Sequence, residues 1–203
     1  MTTIYDGGFM RIRPSQAKRA ADLTAEAFRE DPFNMWLFDG KFGAMRDVFR
    51  LMFRYQMVPH GLTVVDEDWG GAAAWTMPDD ENVSPPDWRF LWALIKNGAL
   101  AGLPRMAPLT DMMAKGHPDM PHIYLFTIGT LPRVRGSGLG RRLMAPMLAH
   151  ADAHRLPVYL ENSNPANGGF YRSHGFERTE MMYVEDGAPP LEGMLRSTAL
   201  GAR

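Results

Sequence analysis

Four arginines, Arg133, Arg135, Arg141 and Arg142, fall within ten residues of a 203-residue chain whose formal net charge is only −1. Among them runs Arg135-Gly136-Ser137-Gly138-Leu139-Gly140. Glycines let a backbone approach a ligand closely and adopt positive φ. The free amides of a helix that begins there point at an anion, aided by the helix dipole. Arg141 and Arg142 fall in that first turn, where each cation opposes the dipole by roughly 0.3–1 kcal/mol. A bound anion offsets that cost, so the stretch suits a phosphate or pyrophosphate. The competing reading is four solvated arginines on a helix surface. Two familiar phosphate loops fail on spacing. A Walker loop needs Gly-Lys followed by Ser or Thr, and none is present. A dinucleotide Gly-x-Gly-x-x-Gly loop would need a small residue at position 141 or 143, where Arg141 and Leu143 stand.

Other chemistry is narrowed by what the chain lacks. With no cysteine, a protein thiolate nucleophile, a disulfide and cysteine-held zinc or iron–sulfur clusters are excluded. His150 and His154 share a helix face around Asp152, but the glutamate of the zinc-protease motif and a third ligand are missing, so no metal is expected. Near-neutral charge gives no global pull toward nucleic acid or acidic lipid. The N-terminus Met1 to Gly8 lacks a signal-peptide apolar stretch, and no apolar run approaches the roughly 18–20 residues that span a bilayer. A cytoplasmic protein without nucleic-acid or membrane partners is the expectation. A homodimer stays open.

The elements that must position these residues follow from periodicity. A strand near Phe9–Arg13 precedes a helix over 16–29, with Ala20, Leu23, Ala27 and Phe28 at helical spacing. Asp31-Pro32-Phe33 breaks it, and a second helix covers 42–57. Residues 61–65 and 71–77 read as strands around the turn Asp66-Glu67-Asp68. Residues 78–86 form a polar loop. Residues 88–113 are helical with an interruption near Gly102-Leu103-Pro104, and His117-Pro118-Asp119 ends them. Then come a strand over 123–128, a helix over 139–155, a strand over 158–161, a short helix over 166–173, and strands over 176–184 and 192–197. Alternating strands and helices predict an α/β or α+β sheet domain. Gly129 marks a bulge or a close backbone approach, or simply the strand's end before Pro132. Pro146 should remove one hydrogen bond from its helix.

The glycine loop matches the Arg/Gln-x-x-Gly-x-Gly/Ala pattern of the GNAT N-acetyltransferases. A second block, Leu160-Glu161-Asn162-Ser163-Asn164-Pro165-Ala166-Asn167-Gly168-Gly169-Phe170-Tyr171-Arg172-Ser173-His174-Gly175-Phe176, resembles that family's later strand–helix–strand segment, with its Asn-Pro-x-Asn and Phe-Tyr-x-x-x-Gly-Phe elements. The resemblance covers residues 121 to about 183, roughly a third of the chain, and within the family it looks most like the puromycin-acetyltransferase-like branch. It implies one GNAT-like domain over 1–203: a mixed, mostly antiparallel sheet with a splayed strand pair at its centre, flanked by helices. The acetyl-CoA core would span about 121–184 and the acceptor side about 1–120. Ile128, Gly129 and Thr130 would pair with the pantetheine arm. Arg133, Arg135, Gly136, Ser137, Gly138, Leu139, Gly140 and Arg141 would hold the pyrophosphate. Asn167 would contact CoA, or cap a helix.

The implied reaction is attack of a neutral amine on the acetyl thioester. Tyr171 stands at the family's proton-donor position, with a core tyrosine as the alternative. A phenol titrates near about 10 against about 8.5 for a thiol, so assistance is expected and not an absolute requirement. A lysine-like amine with pKa about 10.4 needs a base far more than an α-amine does. Glu161 is the candidate base, directly or through water, with a solvated or structurally paired carboxylate as the competing reading. A backbone amide of 128–130 would polarise the carbonyl. The run 31–36 between helices is where acceptor contacts are expected, through Phe33 and Trp36. The acidic loop Asp79, Asp80 and Glu81 could attract a cation, although a solvated loop is the plainer reading. A small amine leads as acceptor; a protein N-terminus or lysine, or a non-catalytic acyl-CoA sensor, are alternatives. A nicotinamide oxidoreductase is disfavoured by its glycine spacing.

Overall fold

The computed structural model describes residues 4, 5, 7–78, 80 and 88–197. Its centre is a seven-stranded sheet in the order β1-β2-β3-β4-β5-β7-β6. The strands are β1 Phe9–Arg11, β2 Leu62–Asp66, β3 Gly71–Thr76, β4 Ile123–Thr130, β5 Val158–Asn162, β6 Glu177–Met182 and β7 Leu191–Arg196. Neighbours run antiparallel except β4 and β5, which are parallel. The helices are α1 Ala17–Ala27, α2 Pro32–Leu37, α3 Phe42–Met52, α4 Trp88–Lys96, α5 Leu103–Gly116, α6 Leu139–His154 and α7 Gly168–Arg172.

Beside the central strand, β3 reads Gly-Ala-Ala-Ala-Trp-Thr. Ala72 and Ala74 face one apolar cluster, with α1 and α3; Ala73 and Trp75 face the other, with α6. Small side chains on both faces of a strand let a helix approach from each side, and α1 and α6 both pack on β3. Trp75 is fully buried. Trp75→Ala is therefore expected to cost about 3–5 kcal/mol, read as a lowered denaturant midpoint; a change under about 1 kcal/mol would contradict this packing.

Two sequence expectations change in the structure. Asp31-Pro32 does break α1, but it also starts α2. The Asp31 carboxylate accepts from the Asn34 amide at 2.9 Å, and Pro32 stands at the first helical position, where its missing N–H costs nothing. The helix expected over 42–57 ends as α at Met52 and continues as a π-helical turn, Phe53–Met57.

β4 and β5 pair at Ile123 with Val158 and at Tyr124 with Tyr159, and nowhere beyond. Since β4 runs on to Thr130 and β5 to Asn162, the two strands part in the middle of the sheet. On its other side, β4 is irregular against β3: Ala74 pairs with Thr127 but Trp75 with Leu125, leaving Phe126 as an extra residue. A bulge bends its strand and adds twist, which suits the parting. The interruption lies three residues before Gly129. Gly129 itself answers to close approach, since a Cβ there would meet the Ala27 Cβ at 2.8 Å and the Phe28 ring at 3.2 Å.

Candidate active site

A cleft of about 650 Å³ opens beside the far half of β4. Its walls come from the end of α1, from Ile128, Gly129 and Thr130 on β4, from the loop 134–138, from the start of α6, from Asn164, Ala166 and Asn167, and from Phe170 and Tyr171 on α7. Loop and helix meet at Gly138, which is left-handed with φ 79° and precedes the first turn of α6; no side chain caps that turn. Arg135 and Arg141 both reach the cleft. Arg135 also donates to the Ala27 carbonyl at 3.2 Å, tying the loop to the C-terminus of α1. The arrangement joins uncapped amides, two cations and an open strand edge, and it can hold an extended anionic molecule with its charged end at α6.

Of the residues read from the sequence, Ile128, Gly129, Thr130, Arg135, Gly136, Gly138, Leu139, Gly140, Arg141, Asn167 and Tyr171 line this cleft. The others lie elsewhere. Arg133 donates to the carbonyls of Asp68 and Trp69, bracing the β2–β3 turn. The Ser137 hydroxyl donates to the Val134 carbonyl, shaping the loop from within. Phe33 is packed in the core beneath α1 and α3. Trp36 is half-buried under the Arg105 guanidinium, 4.4 Å above its ring. Of the acidic loop, Asp80 accepts from the Met77 amide, while Asp79 and Glu81 lie outside the described residues. His150 and His154 lie with ring centres 4.1 Å apart and planes tilted by 34°, and burial, then the His154 charge, lower the His150 pKa. Among the described residues no group of three metal-binding side chains occurs, and no helix is long and apolar enough to cross a membrane.

Tyr171 packs with Leu143, Leu160 and Phe176 on the α6 side of the sheet. Burial raises its pKa above the ordinary phenol, and the Asp31 charge raises it further. The hydroxyl therefore stays protonated at neutral pH. It can donate a hydrogen bond to a departing sulfur, while full proton transfer becomes costlier than for a free phenol.

Asp31 is the residue that periodicity alone did not single out. It lines the cleft, is buried, and accepts from the Ser163 hydroxyl at 2.7 Å across 132 residues of chain. Burial raises its carboxyl pKa, against the lowering effects of the Asn34 and Ser163 hydrogen bonds. An Asp-Pro helix start was readable; its meeting with Ser163 was not. A raised carboxyl pKa means that the folded state binds the proton more tightly than the unfolded one. The buried charge thus costs stability above the folded pKa, and the cost vanishes as pH falls below it. Asp31→Asn keeps a good cap and removes the charge. We expect a denaturant midpoint at pH 7 equal to or above that of the original chain, with any gain shrinking toward acid pH. A gain that grows on acidification would overturn the assignment.

Glu161 lies on the other face of the sheet, two residues past the last β4–β5 pair. Its side chain is 3% exposed and its Oε1 sits 3.3 Å from His117 Nε2. The Tyr124 hydroxyl donates to its Oε2 at 2.7 Å. The carboxylate is structurally paired, at the edge of the gap.

Comparison with known proteins makes this chain an acetyltransferase. The profile of the acetyltransferase (GNAT) family matches residues 46–176, and the chain belongs to that family. A protein of Schizosaccharomyces pombe described as an uncharacterised N-acetyltransferase is 26% identical over 201 residues, covering 92% of this chain and 81% of that protein. A solved structure described as histone acetyltransferase HPA2 and related acetyltransferase, from Corynebacterium glutamicum, superposes with a TM-score of 0.67 at 21% identity, covering 96% of this chain and 98% of the other. The condensation domain of Ebony, solved with beta-alanyl-dopamine, superposes at 0.60 with 12% identity over 94% and 98% of the two chains. At these identities the structural likeness speaks to the fold.

Proposed function

We propose that the protein transfers the acetyl group of acetyl-CoA to the amine of a small molecule by direct attack on the thioester. The observation that carries this is one cleft joining the uncapped start of α6 to Tyr171, at the place where β4 and β5 part. The pyrophosphate lies against the 135–141 loop, with Arg135 and Arg141 offsetting its charge. Asn167 contacts the same cofactor. The pantetheine arm extends along 128–130, whose backbone faces the gap. Bound there, the cofactor supplies an activated acyl group. Arg133 and Ser137 hold the loop's shape and do not touch the cofactor.

Tyr171 then stands on the donor side and Glu161 on the acceptor side of the parted strands. Asp31, buried in the cleft wall, presents a carboxylate suited to a cationic amine. Phe33 and Trp36 support that wall from behind, so the acceptor assignment moves from their rings to Asp31. Acceptor contacts from the N-terminal half and cofactor contacts from 121–184 fit one GNAT-like domain. The resemblance of 160–176 to the puromycin-acetyltransferase-like branch, and the dopamine conjugate held by the Ebony domain, both favour a small amine over a protein acceptor. The cytoplasm, where acetyl-CoA is made and used, is the setting this reaction calls for.

Calorimetric titration with acetyl-CoA, followed by a panel of small amines scored by thiol release, tests the proposal. Saturable binding and turnover with at least one amine are expected. No binding of any CoA thioester would end it.

A further inference from the structure

Helix α4 carries apolar side chains on two opposite sides. Phe90, Ala93 and Leu94 pack it onto α3 and the core beneath. Trp88, Leu91, Trp92 and Ile95 keep helical spacing on the other side. They are exposed, Trp88 at 71% and Trp92 at 56%. Leu100 and Leu103, just beyond the helix, and Tyr55 on the π-helical turn are exposed too. The Arg89 guanidinium lies 4.9 Å from the Tyr55 ring and 5.4 Å from that of Trp88, so Tyr55 adjoins the helix face. Seven of the ten exposed large apolar side chains among the described residues thus fall in one region, and none of the seven lines the cleft. A helix apolar on both sides is ordinarily buried on both. A patch this concentrated marks a contact surface.

We propose that α4 is the centre of an isologous homodimer interface, packed antiparallel on the α4 of a second copy. The surface stands apart from the cleft, so this does not rest on the acetyl-transfer reading. Area is the first argument for a second copy. Scaled from whole side-chain areas of about 150–250 Å², the exposed fractions of the seven come to roughly 700 Å² per copy. Each partner in a standard specific interface buries roughly 800 Å².

Symmetry is the second argument. With the two-fold axis between Leu91 and Trp92, an antiparallel pair sets Leu91 against the partner's Trp92 and Trp88 against the partner's Ile95. Each large ring then meets an aliphatic side chain, and the two helix dipoles oppose. Charge is the third. Lys96 pairs with Asp47 at 2.9 Å, and Arg50 pairs with Asp22 and Asp47. The flank is therefore largely compensated and offers little to an acidic lipid surface. Arg54 and Arg89 lie beside Tyr55, at the Trp88 end of the helix. The antiparallel arrangement sends the two copies' arginines to opposite ends, about 10 Å apart along the axis. That is near the Debye length at ordinary salt, so their repulsion is weak.

Sedimentation velocity and light scattering on the full chain, over a dilution series, test the interface. A dimer is expected. Leu91→Glu and Leu91→Lys each set two like charges close to the axis of a dry contact. Each should weaken association by at least about a hundredfold. Leu91 is on the open side of α4, so far-UV circular dichroism and the denaturant midpoint should be kept. Trp92→Ser, which adds no charge, is the second variant and should also dissociate the dimer. Mixed in equal amounts, Leu91→Glu and Leu91→Lys should recover it, since opposite charges then meet at the axis. Neither unfolding nor a head-to-tail contact gives that recovery. Trp88 and Trp92 are the exposed tryptophans of the described chain, so emission should shift to shorter wavelength on association in the original chain alone. A monomer at every concentration would overturn the proposal, and so would a dimer that survives all three substitutions or a mixture that does not recover. A monomer that binds phosphatidylserine vesicles through Trp88 and Trp92 would overturn it as well, giving the face to a membrane.

Discussion

Gly138→Asp is expected to weaken acetyl-CoA binding by at least about a hundredfold, close to 3 kcal/mol. Gly138 has φ 79°, and a Cβ there would meet no atom within 4 Å. The substitution therefore does not clash. It adds a strain of roughly 1–2 kcal/mol for a side chain in the left-handed region, and it sets a carboxylate where the cofactor's phosphates approach. The strain lowers stability; the charge lowers affinity. Gly138→Asn tolerates the same φ without the charge and should lose far less. Calorimetry on both variants separates the effects. Equal affinity of Gly138→Asp and the original chain would remove the anion from this loop, and with it the cofactor assignment.

Tyr171→Phe is expected to slow transfer by about 10²–10⁴-fold while acetyl-CoA binding stays within a few-fold, since general acids contribute in that range. Removing one oxygen leaves the ring in its contacts with Phe170 and Phe176, so stability should hardly change. Burial and the neighbouring Asp31 keep the phenol protonated, so its contribution should persist through the neutral range and into alkaline pH. The pH profile of the ratio between the two enzymes checks this, using an amine found in the panel. A ratio near one at all pH values would mean that Tyr171 only fills the core.

The loop 135–141, the strand before it and the helix after it were legible because each signal is local. A β-branched and aromatic run, three glycines and a helical period all fall within about thirty consecutive residues, from 123 to 154. The starts and ends of most strands agree with the structure within two residues for the same reason. α2 was also legible in principle, as Asp followed by Pro is a helix-start signal, but the same pair reads equally well as the end of α1. The π-helical turn at 53–57 had no such signal, because a one-residue change of helical register leaves the apolar spacing almost unchanged.

What lies outside that reach is every contact made across the chain. Glu161 alone could be a free base or a paired carboxylate. Only the parallel pairing of β4 with β5 at Tyr124 and Tyr159 brings the Tyr124 hydroxyl to it across 37 residues, and only the end of α5 sets His117 against it. Arg133 and Arg135 look equivalent in sequence. The sheet gives the first to the β2–β3 turn and leaves the second at the cleft. The sequence by itself determined the family and where the glycine loop and Tyr171 fall in the chain, since these depend on backbone conformation and short spacing. The partners of Glu161, Asp31 and the arginines were decided by tertiary structure alone, because burial and distance between remote segments fix which polar atoms must satisfy one another.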